Sequence, residues 1–178
     1  MDNPRPTVIS DTSPLRYFVI AGRVGLIERL FGEVWIPRAV ERELSHDSTP
    51  AVVRQWIQQR PAWLHIRDLG KPIDPLLSSE LDAGEAEAIQ LSLENRASLL
   101  IIDERRGRLI ASRRGLVITG ALGILVAAYR RKQFDNPLSM LDDLRTAGFR
   151  VSPRLITRFQ ELIADASAKR YSEDLLLE

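Results

Sequence analysis

The chain has 178 residues, with 25 Lys and Arg against 24 Asp and Glu, 44% hydrophobic content and no cysteine. That length suits one domain with a real core, and this hydrophobic content excludes disorder as the overall state. Zero cysteine excludes a disulfide framework, a thiolate zinc site and a cysteine nucleophile, and it fits a reducing, cytoplasmic setting.

Met1-Asp2-Asn3-Pro4-Arg5-Pro6 carries no apolar signal region. Thr7 to Ser10 is β-branched and apolar, bounded by Pro6 and by Asp11-Thr12-Ser13-Pro14, and reads as a strand. Ser13 is the expected N-cap of the following helix, with Pro14 at its first position. Leu15 to Leu30 has helical spacing broken by Gly22 and Gly25, which predicts two short helices. Glu33 to Ile36 reads as a strand, and Pro37 opens a helix through Val40 and Leu44. Thr49 is expected to cap a helix that starts at Pro50 and runs to about Gln59. Leu64-His65-Ile66 reads as a short strand.

Leu76 to Glu94 reads as helix in two pieces divided near Asp82. Ser98 to Ile102 is continuously apolar after its first residue, the pattern of a strand buried on both faces. A helix over Glu104–Ser112, a strand at Leu116–Ile118 and a helix over Gly120–Arg131 follow. Helices over Pro137–Ala147 and Ser152–Ala164 close a single domain spanning residues 1–165. The remainder, 166–178, reads as a docked or partner-binding tail ending in Leu175-Leu176-Leu177-Glu178. The longest uncharged run, Gly115 to Tyr129, has 15 residues, short of the roughly 20 that span a bilayer, so a soluble protein without a membrane partner is expected. Strands alternating with helices, too far apart for hairpins, predict an α/β fold with a mostly parallel sheet between two helical layers.

The net charge of +1 averages two unlike blocks. Asp74 to Glu104 holds eight acids and one base, Arg96; Arg105 to Lys132 holds eight bases and no acid. Two strands end in the same chemistry, Val8-Ile9-Ser10-Asp11 and Leu100-Ile101-Ile102-Asp103. In a parallel sheet both carboxylates emerge at the carboxyl edge, where open α/β folds bind ligands. A strand-end Asp taken singly is equally a turn or cap residue. Glu43 lies beside the core stripe of Val40 and Leu44, although a solvated helical acid has the same signature, and Glu41 points elsewhere. Asp82 and Glu85 fit a capping box. The small neighbours Ala83, Gly84, Ala86 and Ala88 would also let that helix bring Glu85 against the sheet.

Four converging carboxylates repel one another unless a cation joins them. All-oxygen ligation favours Mg²⁺ or Mn²⁺. His46 and His65 lack ligand spacing, which disfavours zinc. Carboxylate-held metal can activate water for phosphodiester cleavage. Arg105, Arg106 and Arg108 follow Asp103 directly and could bind an RNA backbone beside it, the other reading being a solvated helix face.

The stretches Val8 to Leu15, Val40 to Leu44, Leu81 to Ile89, Leu100 to Arg108 and Val117 to Leu125 together resemble the PIN-domain superfamily of metal-dependent nucleases. The nearer resemblance is to its bacterial branch of predicted nucleic-acid-binding proteins related to VapC-type toxin ribonucleases. It implies a three-layer α/β/α sandwich and a catalytic, metal-binding set of Asp11, Glu43, Glu85 and Asp103. Thr12, Ser13, Asp82 and Glu104 would support the site. It further implies Mg²⁺- or Mn²⁺-dependent hydrolysis of RNA, an antitoxin partner and a homodimer. The family's commoner forms carry a further Asp after the position of Asp103. This chain has Glu104 and Arg105-Arg106-Gly107-Arg108 there, so the metal count stays open. A dinucleotide-binding fold would need a glycine-rich turn after the first strand, and Asp11-Thr12-Ser13-Pro14 is not one. A haloacid-dehalogenase-like phosphatase would want a second Asp where Ser13 stands, and a receiver domain would not spread its acids over four elements. The competing reading from another class is a catalytically weak module of this fold that binds nucleic acid or protein.

Overall fold

The computed structural model describes residues 6–175, with side chains described as far as Ser167. Met1–Arg5, and the end of the expected tail from Leu176, lie outside the described residues. The apolar runs form strands β1 (Val8–Ser10), β2 (Val34–Pro37), β3 (Leu64–Arg67), β4 (Leu99–Ile101) and β5 (Ile118–Thr119). All pair in parallel, in the order β3-β2-β1-β4-β5. β5 lies one to two residues beyond the expected Leu116–Ile118. Leu116 N–H is still spent on Ala111 C=O at the end of a helix, and the sheet bonds start at Val117 C=O.

Ten helices surround the sheet among the described residues: α1 (Thr12–Ile20), α2 (Gly25–Phe31), α3 (Arg38–Ser45), α4 (Ala51–Gln58), α5 (Pro75–Glu80), α6 (Ala83–Glu94), α7 (Arg105–Arg113), α8 (Ala121–Arg130), α9 (Pro137–Thr146) and α10 (Pro153–Leu175). Alternation along the strands splits the core in two. Val8, Val34, Ile36 and Ile101 join Leu15, Phe18, Leu44, Leu125 and Phe159 on one face. Ile9, Leu100 and Ile102 join Leu77, Ile89, Leu91 and Ala111 on the other. The central strands therefore need apolar residues at every position, and the result is a three-layer α/β/α sandwich. No helix among the described residues is long and apolar enough to cross a membrane.

Several helix boundaries differ from the sequence reading. Asp11, not Ser13, caps α1, and its carboxylate accepts from Ser13 N–H. Thr49 does not cap α4; its hydroxyl donates to Glu43 C=O at 2.7 Å and ties the α3–α4 turn. Asp82 holds the N-cap position of α6 without a side-chain capping bond, so the Asp82 half of the expected capping box does not form. Asp74 caps α5 by accepting from Leu76 N–H. The helix expected to stop at Ala164 continues as α10 to Leu175, because Phe159 and Ala166 are buried against the rest of the fold and nothing in Asp165-Ala166-Ser167 breaks it.

Candidate active site at the carboxyl edge of the sheet

β1 and β4 are neighbours, with Ser10 opposite Ile101, so Asp11 and Asp103 leave the sheet at the same edge. Asp11 is fixed by its own N–H, which donates to Ile101 C=O at 2.9 Å, and it is only 2% exposed. Parallel β–α connections also bring the positive N-terminal ends of α1, α6 and α8 to this edge, where they favour negative charge.

Glu43 reaches the edge through an exchange between α3 and α6. Its Oε1 accepts from Gly84 N–H at 2.8 Å in the first turn of α6, and its Oε2 accepts from the Thr12 hydroxyl. In return, Glu87 of α6 accepts from Ala39 N–H at 2.8 Å in the first turn of α3 and pairs with Arg42 at 3.1 Å. Neither Pro37 nor Asp82 caps its own helix by side chain, so each helix has an amide satisfied by the other's carboxylate. The pairing sets the spacing of Glu43 and Glu85.

Asp11, Glu43 and Glu85 line one cleft of about 590 Å³, together with Thr12, Ser13, Asp82 and Glu104. Asp103 is not among the lining residues. Its Oδ1 turns aside to accept from Ala121 N–H at 2.9 Å, supplying the cap that Gly120 lacks at the start of α8. The four expected acids thus divide into three that share the cleft and one in a recess beside it.

A glycine seats three of them. A methyl group on Gly84 would stand 2.5 Å from Glu43 Oε2, and one on Gly107 would stand 2.6 Å from Glu85 Oε1. One on Gly120 would overlap Asp103 Oδ1. The sequence alone does not mark Gly107 and Gly120 as site residues, although Gly107, in the first turn of the helix after the strand-end Asp103, is a readable sign of close approach.

Burial raises the acids. Desolvation lifts Asp11 to about 7, aided by the charges of Glu85 and Glu43 and opposed by the Thr12 and Ser13 amides. Desolvation also lifts Glu85 to about 7, with Glu104, Asp82 and Glu43 adding to it and the Asp82 amide opposing. Asp103 reaches about 6 by burial, moderated by Ala121 N–H and Arg108. Glu85 Oε1 and Asp103 Oδ2 are buried without a hydrogen-bond partner.

The basic side chains lining the cleft are Arg16, Arg42 and His46; the expected arginines of α7 do not line it. Arg106 is exposed and pairs with Glu80 at 3.3 Å, while Arg108 turns inward to donate to Ile102 C=O at 2.8 Å. Arg105 is exposed and lies outside the cleft lining. The readable sign for Arg16 is its place four residues after Thr12, on the same face of α1.

The donor set suits a hard divalent cation: it is all oxygen, two of its three carboxylates are buried, and it includes a carboxylate oxygen without a protein partner. Among the described residues, no three His, Asp or Glu side chains close around one point as a finished metal centre.

No individually curated protein matches this sequence. Residues 7–165 match the PIN-domain family model, which covers every element from β1 into α10. The chain belongs to the PIN-domain superfamily.

Proposed function

We propose that the protein is a Mg²⁺- or Mn²⁺-dependent endoribonuclease acting at the cleft of Asp11, Glu43 and Glu85, with Asp103 as its fourth carboxylate. PIN domains are generally nucleases that use divalent metals, and membership implies nucleic-acid binding. The observation that carries the reading is the meeting of three acids in one cleft, two of them raised to about 7 and lined alongside by arginines. Such a group is costly in isolation and useful around a cation.

Asp11, Glu43 and Glu85 would hold the ion, and when bound it would supply charge neutralisation and acidify a ligated water. Thr12 and Gly84 fix the Glu43 carboxylate, so little reorganisation is left to the moment of reaction. Arg16 and Arg42 stand where a phosphodiester entering the cleft meets positive charge. Glu43 accepts two protein hydrogen bonds, one on each carboxylate oxygen, which hold it in place.

The test is cleavage of RNA classes by purified protein with metal removed and then restored. Cleavage of single-stranded RNA that returns with Mg²⁺ or Mn²⁺ supports the reading, and metal-independent or absent cleavage opposes it. The toxin role, the antitoxin partner and the homodimer extend the same proposal from the resemblance to VapC-type toxins. Growth arrest on expression, relieved by a co-purifying small protein, supports that extension. A second reading, a catalytically weak binding module, draws on the position of Asp103 outside the cleft lining. It predicts RNA binding without turnover.

A further inference from the structure

Arg16 lines the acidic cleft, is exposed, and has no carboxylate within ion-pair distance among the described residues. The next residue on α1, the half-buried Tyr17, meets Phe149 edge-on with ring centroids 5.4 Å apart. Phe149 in turn lines a second open groove of about 560 Å³, with Asp142, Arg145, Thr146, Arg150 and Val151. One aromatic contact thus links the residue next to Arg16 with the lining of the second groove.

Charge along this line is ordered. Asp142 is occupied by Arg145 at 3.1 Å, and the neighbouring Asp143 by Arg23 at 2.8 Å. Arg150 is exposed and has no ion pair among the described residues. The Tyr17 hydroxyl senses both sides, raised by burial and by Asp103 and Glu104 and lowered by Arg16 and Arg150. An aromatic flanked by two unpaired arginines is the arrangement that takes an unpaired base by stacking and its phosphates by charge. A duplex keeps its bases stacked inside and could not use the ring.

We infer that single-stranded RNA leaves the acidic cleft past Arg16, over Tyr17, and into the groove of Phe149 and Arg150. The inference rests on the ribonuclease reading and adds the direction of the strand and the residues that bind it. Arg150 is a binding residue remote from the carboxylates.

The experiment measures binding of a single-stranded RNA of about ten nucleotides, within the range of known single-strand site sizes, across a salt series. It uses the full chain carrying Asp11→Asn so that the RNA stays intact. Adding Arg150→Ala or Arg16→Ala lowers affinity about ten-fold each and reduces the slope of log affinity against log salt by about 0.7 each, one phosphate contact per arginine. Arg60→Ala, which removes an exposed arginine away from this line, keeps the slope, and a duplex of the same sequence binds more weakly. Tyr17→Leu weakens binding while the melting temperature reports that the fold is kept. An unchanged slope in Arg150→Ala, an equal loss in Arg60→Ala, or equal binding of duplex overturns the inference. If the wild type still cleaves RNA under metal control, the ribonuclease reading survives that failure. If no RNA binds at all, both fall.

Discussion

The cleft and the recess beside it hold the same kind of group under opposite arrangements. In the cleft, Asp11 and Glu85 are raised to about 7 by burial and by one another's neighbours, and Glu85 keeps an unpartnered oxygen. In the recess, Asp103 is raised by burial and by Glu104, but it caps α8 through Ala121 and has Arg108 beside it, reaching about 6. Arg108 and a helix end offset part of one carboxylate's burial within the protein. Arg16 and Arg42 line the cleft, but neither offsets the burial of Asp11 or Glu85 as Arg108 does for Asp103, so a cation from solution has most to offer there.

The largest expected effect sharpens that contrast. Glu85→Gln should lower cleavage at least about a hundred-fold, roughly 3 kcal/mol of transition-state stabilisation. Arg108→Ala should lower it less, while raising the pH at which Asp103 ionises, as read by a pH–rate profile. Equal losses in both variants would break the distinction between cleft and recess.

The next effect is on stability. Folded Asp11 and Glu85 hold protons to about 7, against 3.8 and 4.5 for the unfolded groups. Raised values in the folded state mean that their stabilising contribution is complete below about pH 4 and is lost as pH climbs through about 7. Metal-free protein should therefore melt at a lower temperature at about pH 8 than at about pH 5, and Mn²⁺ should restore more at the higher pH. At 100 times its dissociation constant, a bound ion adds about 2.7 kcal/mol. Melting curves with and without chelator check this, and a metal effect equal at both pH values would oppose it.

Smaller changes test how the cleft is built. Gly107→Ala pushes a methyl group against Glu85 Oε1 and Ile102 Cδ1, both at 2.6 Å, and should cost about 1–3 kcal/mol in denaturant unfolding. Glu87→Ala removes the cross-helix cap on Ala39 N–H and should cost about 1 kcal/mol, with loss of activity as Glu43 loses its setting. Arg106→Ala breaks only an exposed pair with Glu80 and should stay within about 1 kcal/mol.

The strand ends were legible because β-branched and apolar runs stop abruptly at Asp11 and Asp103, and parallel pairing follows from the helices between them. Glu43 was legible as the acid beside the Val40 and Leu44 stripe. What sequence could not tell is where each side chain goes once it reaches the edge. Asp103 turns toward α8 because Gly120 leaves that helix without a side-chain cap, a relation across 17 residues that no local pattern carries. The arginines after Asp103 read as phosphate ligands because of proximity in sequence. On α7 they diverge, Arg106 outward to Glu80 and Arg108 inward to Ile102, while Arg16 and Arg42 line the cleft from α1 and α3. The exchange of caps between Glu43 and Glu87 is likewise invisible until α3 and α6 lie together.

The most direct test compares wild type and Asp11→Asn on single-stranded RNA in Mg²⁺ or Mn²⁺, with circular dichroism to verify the fold. Metal-dependent cleavage by the wild type and none above background by the folded variant are expected. Equal cleavage by the two would contradict it.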